Sequence, residues 1–199
     1  MDQLALLPDN SERQRQELEI CSSLGAVLLV VKGYAAPETG HAYGRAQELW
    51  EKLGSPSEFL HVPCGQSNYH VHLGELELAL RLDEGLLRLS GQRNDSAGLV
   101  LGHLSCGRNL MFAGRFAASR SQLEEVLSLY DPISHRSRRH PHPLTTSQAY
   151  LGNVLCLGFP DQALARSSAS IAAAEKTGSS PVFSRELGDR RQVACSGWR

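Results

Sequence analysis

Hydrophobic residues recur at intervals of three and four positions along most of the chain, and this spacing predicts a series of amphipathic α-helices. The first helix should begin with a capping box at Ser11–Gln14 and end near Gly33. Its buried face is expected to consist of Leu18, Cys21, Leu24, Leu28 and Val31. Further helices are predicted over residues 37–53, 59–73, 76–90, 96–112, 116–130, 144–157 and 160–177. The pattern therefore predicts an all-α fold.

Four glycines mark the turns between paired helices, namely Gly33, Gly74, Gly114 and Gly158, which stand 41, 40 and 44 residues apart. A small residue follows five positions after three of them, at Ala79, Ser119 and Ala163. Small residues at such positions let the two helices of a hairpin approach closely where they cross. This plan resembles the tetratricopeptide repeat. It favours a tetratricopeptide-like α-solenoid of about four helical hairpins over the alternative, an unrelated helical bundle with glycine turns.

Glycine and proline residues inside the predicted helices weaken the helical pattern locally. Pro63 and Gly65 fall within the first turns of the third helix, the one place where proline is tolerated. The fifth helix contains Gly98, Gly102 and Gly107, each of which costs up to about 1 kcal/mol relative to alanine. Gly107 has a packing role at the predicted crossing, whereas the sequence gives no such reason for Gly98 and Gly102.

Three stretches extend the resemblance to a particular group: Gly158–Arg166, Leu127–Pro132 and Val31–Ala46. They are similar to the tetratricopeptide region at the C-terminal end of large bacterial signalling proteins that join a class III adenylate/guanylate cyclase domain to an ATPase module. The resemblance implies an interaction or regulatory role, with the nucleotide chemistry in domains that this chain lacks. It also implies an alternative, a detached regulatory fragment that acts by docking to cyclase or ATPase domains.

Domain organisation follows from the same pattern: a lead-in at residues 1–10, a repeat domain at 11–180 and a poorly ordered tail at 181–199. The formal net charge of -1 argues against nonspecific nucleic-acid binding. Five widely spaced cysteines without a C-x-x-C pair favour a reducing cytoplasm over a disulfide framework. The longest apolar run, Ala26–Val31, is far shorter than the roughly 20 residues of a membrane span. We therefore expect a cytoplasmic protein with no membrane partner.

Candidate catalytic and metal-binding groups are sparse, so we expect no enzyme activity and no cofactor. The chain has neither a G-x-x-x-x-G-K-[ST] phosphate loop nor a G-x-G-x-x-G turn, and Gly102–Gly107 has the wrong spacing for a nucleophile elbow. His70 and His72 are two apart, which on a helix directs them to different faces. The loop at 133–143 carries histidines among arginines, whose charges oppose metal binding. A solvated loop is favoured there over a contact with nucleic acid or an acidic partner.

Binding of a protein or peptide is the remaining function class, and the repeat template indicates where. In stacked hairpins the first helix of each repeat lines the concave face. The predicted face consists of Asn68, His72, Leu101, Leu104, Arg108, Met111, Phe112 and Gln148. Asn68 and Arg108 occupy equivalent positions of successive repeats, so they should lie side by side and hold the backbone or a carboxylate of an extended peptide. The open alternative is that this strip packs against a neighbouring domain absent from the chain.

Overall fold

The computed structural model of the chain describes residues 10–131, 142–156 and 158–177. Within these ranges it contains eight α-helices and no strand. The helices are α1 (Ser11–Val31), α2 (Pro37–Lys52), α3 (His61–His72), α4 (Leu76–Gln92), α5 (Ser96–Phe112), α6 (Phe116–Leu129), α7 (Pro143–Leu155) and α8 (Pro160–Thr177). The predicted all-α class is thereby confirmed. The predicted lead-in up to residue 9, most of the 133–143 loop and the 181–199 tail lie outside the described residues.

The chain divides into two compact units, residues 1–86 and 87–199, with the division inside α4. In the first unit α1 packs against α2, and α2 packs against α3. In the second unit α5 packs against α6, α6 against α7 and α7 against α8, while α5 also contacts α7. Helices that follow one another in the chain are therefore neighbours within each unit, as expected for consecutive hairpins.

The N-terminus of α1 differs from the predicted capping box by one residue. Asn10 is the N-cap, and its side-chain oxygen accepts a hydrogen bond from the backbone N–H of Arg13 at 2.9 Å. Asparagine and serine are both good N-caps, so the pattern could not choose between Asn10 and Ser11. Asp95 caps α5 in the same way, through the backbone N–H of Gly98 at 3.0 Å.

Three of the four predicted turn glycines adopt the left-handed conformation that ends a helix. Gly33, Gly74 and Gly114 have φ angles of 104°, 83° and 72°. The residue after Gly74 and the residue after Gly114 each donate a backbone hydrogen bond to the carbonyl five residues earlier. These bonds run from Glu75 N to His70 O and from Arg115 N to Leu110 O. This is the Schellman arrangement of a helix C-terminus. The fourth turn glycine, Gly158, follows residue 157, which lies outside the described residues.

The buried face of α1 agrees with the prediction in the first half of the helix and differs from it in the second half. Leu18, Cys21, Ser22 and Gly25 are buried, whereas Leu24 is 43% exposed and Val31 is 73% exposed. The prediction was wrong for Leu24 and Val31 because apolar residues surround the second half of this helix, and spacing alone cannot tell which of its faces is covered. The first half is unambiguous, since charged residues there mark the solvated side.

Glycines form the closest helix crossings in both units. In the first unit the ring of Tyr43 lies between Gly25 of α1 and Gly65 of α3, and Tyr43 is only 5% exposed. In the second unit a Cβ on Gly107 would meet Leu123 at 2.7 Å, which confirms the packing role of Gly107. A Cβ on Gly102 would meet Leu87 at 2.8 Å, and one on Gly98 would overlap Ser90. Gly98 and Gly102 therefore do have packing roles, contrary to the sequence analysis.

A serine hydroxyl also bridges one pair of helices in each unit. Ser67 of α3 donates to the carbonyl of Ala79 in α4 at 3.2 Å, and Ser119 of α6 donates to the carbonyl of Gly107 in α5 at 2.6 Å. In both pairs one residue lies seven positions before the turn glycine and the other lies five positions after it. All four residues are buried. The second and third hairpins thus share a serine-to-carbonyl hydrogen bond between equivalent positions.

Candidate functional site

Five of the eight predicted binding residues lie on α5 of the second unit. The helix begins at the Asp95 cap and packs closely on α6 through Gly107. Spacings of three, four and one place the five side chains along one side of the helix. They are Leu101, Leu104, Arg108, Met111 and Phe112.

Arg108 is half-buried and is held by two hydrogen bonds to its own helix. Its Nε donates to Oδ1 of Asn109 and its Nη2 donates to Oγ of Ser105, both at 3.0 Å. Ser105 and Asn109 are themselves buried, so their positions are fixed by packing. A guanidinium restrained in this way loses little conformational freedom when it binds a carboxylate or a carbonyl.

The apolar members of the set divide into two pairs. Leu104 and Met111 are half-buried and pack against the core cluster of Leu123, Leu151 and Val154. Leu101 is half-buried, and Phe112 is 50% exposed. Leu104 and Met111 therefore contribute to the packing of the second unit, while Phe112 presents a large apolar surface.

Gln148 lies on α7, the first helix of the next hairpin, in the same unit as Arg108. Its Oε1 atom is buried and has no hydrogen-bond donor among the described residues, and the same holds for Oγ1 of Thr145, one turn earlier. A buried acceptor without a donor costs about 1–3 kcal/mol, so an enclosed water molecule that donates to these atoms would be favourable.

The other two predicted residues, Asn68 and His72, lie on α3 in the first unit. The Nδ1 atom of His72 donates to the backbone carbonyl of Asn68 at 2.8 Å, and the imidazole stacks on the ring of Tyr34 at a centroid distance of 4.3 Å. Sequence reasoning missed this stack because Tyr34 lies in the turn after α1, far from α3 in the chain. Since Asn68 and Arg108 belong to different units, their side-by-side placement stays a prediction.

His70 and His72 make separate contacts, as their spacing implies. Nδ1 of His70 lies 2.6 Å from Oε2 of Glu75, and Nε2 lies 2.9 Å from Nε2 of Gln66. If Nδ1 carries the proton, the neutral ring satisfies both contacts. Across residues 10–131, 142–156 and 158–177, no three histidine, cysteine, aspartate or glutamate side chains form a group that could hold a metal ion.

His142, at the end of the predicted basic loop, is buried at the N-terminus of α7. Its Nε2 lies 2.7 Å from the hydroxyl of Tyr130, and its Nδ1 has no partner within the described ranges. Burial lowers the pKa of His142 below its usual range. His142 was predicted to lie in the solvated loop, and the adjacent Pro143, which starts α7, was the available signal that a helix begins here.

One open groove of about 470 Å³ lies between the start of α1 and the end of α2. Ser11, Arg15, Lys52 and Pro56 are among its lining residues, and Arg15 forms an ion pair with Glu58. None of the predicted binding residues lines this groove. In the part of the chain that the structure describes, no helix combines the length and apolar character needed to cross a membrane.

A scan against protein-family models gave no match, and a search of curated proteins also gave none. The resemblance to tetratricopeptide regions of cyclase and ATPase signalling proteins therefore stays a prediction from the sequence.

Proposed function

We propose that the chain is a non-catalytic scaffold of helical hairpins that binds an extended peptide. The peptide would lie along α5 and α7, which are the first helices of the two hairpins in the second unit. The observation that carries this proposal is Arg108, a half-buried guanidinium held by Ser105 and Asn109 on a helix that contacts α7. Arginine in such a setting suits a carboxylate, whether of an acidic side chain or of a peptide C-terminus.

Two neighbouring features supply the other contacts that a peptide needs. Phe112 lies one helical turn beyond Arg108 and offers its exposed ring to an apolar side chain. Gln148 of α7 is half-buried, and its side-chain amide would hydrogen-bond the backbone of the peptide once the side chain turns outward. Together these groups would provide a charged contact, an apolar contact and a backbone contact for the peptide.

The test is selection of peptides from a random displayed library on the immobilised chain, followed by calorimetric titration of the enriched peptides. Arg108→Glu should weaken binding at least tenfold, because a hydrogen bond to a charged group contributes about 1.5–3 kcal/mol. Phe112→Ala should weaken binding by a similar factor. Asn68→Ala tests whether the site extends into the first unit.

Matched controls separate the site from general surface effects. Phe159 is 51% exposed, as Phe112 is 50% exposed, but it lies in the turn between α7 and α8. Arg120 of α6 is paired with Glu124. Phe159→Ala and Arg120→Glu should leave the affinity unchanged. Equal affinity of the wild type and Arg108→Glu would contradict the proposed site, and enrichment of a cyclase-domain segment would favour the docking alternative.

A further inference from the structure

The second half of α1 and the turn after it expose a line of large apolar side chains, and those on the helix lie on the side opposite its buried face. We call Ile20, Leu24, Val27, Val30, Val31 and Tyr34 the α1 stripe; each is at least 40% exposed. Ile20, Leu24, Val27 and Val31 follow one another at spacings of four, three and four. This is the spacing at which one helix packs lengthwise against another.

The stripe carries no charge that could select a charged partner. Residues 20–31 contain no Asp, Glu, Lys or Arg, whereas the preceding turns of α1 contain Glu12, Arg13, Arg15, Glu17 and Glu19. A surface of this kind is stabilised by apolar contact alone. Its partner is therefore another uncharged apolar helix face rather than an acidic or basic segment.

The size of the stripe matches that of a subunit contact. From their exposed fractions, the six side chains leave on the order of 600 Å² accessible, which is at the upper limit of the largest apolar patch on a typical monomer. A standard interface buries about 800 Å² on each partner. The stripe and its immediate flanks therefore provide the area that a dimer requires.

We propose that two copies of this chain associate through their α1 stripes, with the two helices antiparallel about a two-fold axis. Such an axis makes one patch sufficient for both partners. If the axis passes between Leu24 and Val27, Ile20 of each copy faces Val31 of the other. A parallel pair would instead bring the charged first turns of the two α1 helices side by side, which is unfavourable because like charges would face each other.

The first experiment measures the mass of the full chain by sedimentation equilibrium over the micromolar range. The wild type should have the mass of two chains, and the double variant Leu24→Glu, Val27→Glu the mass of one, with unchanged helical circular dichroism. Leu164→Glu is the matched control, because Leu164 of α8 is 44% exposed and Leu24 is 43% exposed. This variant should remain a dimer. A monomeric wild type, or a dimeric double variant, would overturn the proposal.

The second experiment tests the orientation. Ile20→Glu and Val31→Lys should each weaken self-association, since each places a charge in the apolar contact. Mixed together, the two variants should pair with each other at least tenfold more tightly than either pairs with itself, because the antiparallel arrangement sets position 20 against position 31. A mixture that associates no better than its components would rule out this arrangement.

Discussion

Helices pack closely at glycines in both units, but different kinds of side chain lie against those glycines. In the first unit one aromatic ring, that of Tyr43, fills the space between Gly25 of α1 and Gly65 of α3. In the second unit an aliphatic side chain lies over each of two glycines, Leu87 over Gly102 and Leu123 over Gly107. Aromatic packing joins three helices through one residue, whereas aliphatic packing distributes the contacts over separate pairs. The first unit should therefore be more sensitive to a single substitution and to high pH.

The largest effect is expected for Gly65→Ala. The added methyl group would overlap the Tyr43 ring, which cannot move away because Gly25 lies on its other side. Overpacking of this severity costs about 3 kcal/mol or more. Chemical denaturation followed by Trp50 fluorescence in a Trp198→Phe background would report this loss, since Trp50 is buried in the first unit. Gly44→Ala on α2 is the control: no atom lies near its Cβ position, and it should stabilise by about 0.5–1 kcal/mol.

Alkaline pH should weaken the first unit through Tyr43. Burial raises the pKa of Tyr43 to about 12, above the value of 10 for an exposed tyrosine. The neutral phenol therefore stabilises the folded state fully below pH 10, and this contribution is lost as the pH rises towards 12. The expected loss is about 3 kcal/mol. Tyr43→Phe should remove this part of the pH dependence, and a wild type with the same alkaline profile as Tyr43→Phe would contradict it.

Gly107→Ala should destabilise the second unit less than Gly65→Ala destabilises the first. The new methyl group would lie 2.7 Å from Leu123, a flexible side chain that can adjust in part although it is fully buried. We expect a loss of about 1–2 kcal/mol, because alanine's higher helix propensity offsets some of the crowding. Denaturation followed by circular dichroism, with Trp50 fluorescence recorded in parallel, measures both units. A loss equal to that of Gly65→Ala would refute the contrast between them.

Removing the bridging hydroxyls should have a smaller effect. Ser119→Ala should cost about 1 kcal/mol and Ser67→Ala somewhat less, since the hydrogen bond from Ser119 is the shorter of the two. Ser128→Ala serves as a control, because Ser128 is exposed and bonds only within its own helical turn. Thermal unfolding of the three variants ranks the effects. Equal melting temperatures for all three would show that the bridges contribute nothing.

The smallest effect is expected for His142 at low pH. Its lowered pKa means that the neutral imidazole is the folded form, so its contribution is present above the ordinary histidine pKa and is lost as the pH falls through the lowered value. The second unit should lose stability in that range, because Nδ1 of His142 would gain a proton without an acceptor among the described residues. A His142→Gln variant should show a flatter acid profile by circular dichroism. An unchanged profile would contradict the prediction.

Sequence patterns predicted the hairpins well because their signals are local. Gly74 and Gly114 end helices through their own backbone conformation, and Gly107 lies at a fixed template distance from Ser119. The Tyr43 packing could not be predicted in this way. Gly25 and Gly65 come from separate helices, and their role depends on a ring that fits between them in three dimensions. Helix propensity alone indicated only that Gly65 weakens the helical pattern of α3.

The candidate site was harder to predict than the fold. The template placed Arg108 and Phe112 on one side of α5, but it could not separate exposed apolar residues from those used in packing. Leu104 and Met111 show this limit, because the core cluster that contacts them includes residues of α6 and α7. The exposure of the α1 stripe could not be predicted from the sequence for a related reason. Periodicity reports that a helix has an apolar side and does not report whether a neighbour covers it.

The serine bridge of the hairpin crossing has a consequence for how such chains can be redesigned. The donor lies on the leading helix in one hairpin and on the trailing helix in the other, while the acceptor is a main-chain carbonyl that any residue provides. The two helices are therefore interchangeable as carriers of the hydroxyl. An engineer who extends this chain by copying one hairpin needs to preserve one serine hydroxyl at the contact between its two helices. Either helix can carry that hydroxyl.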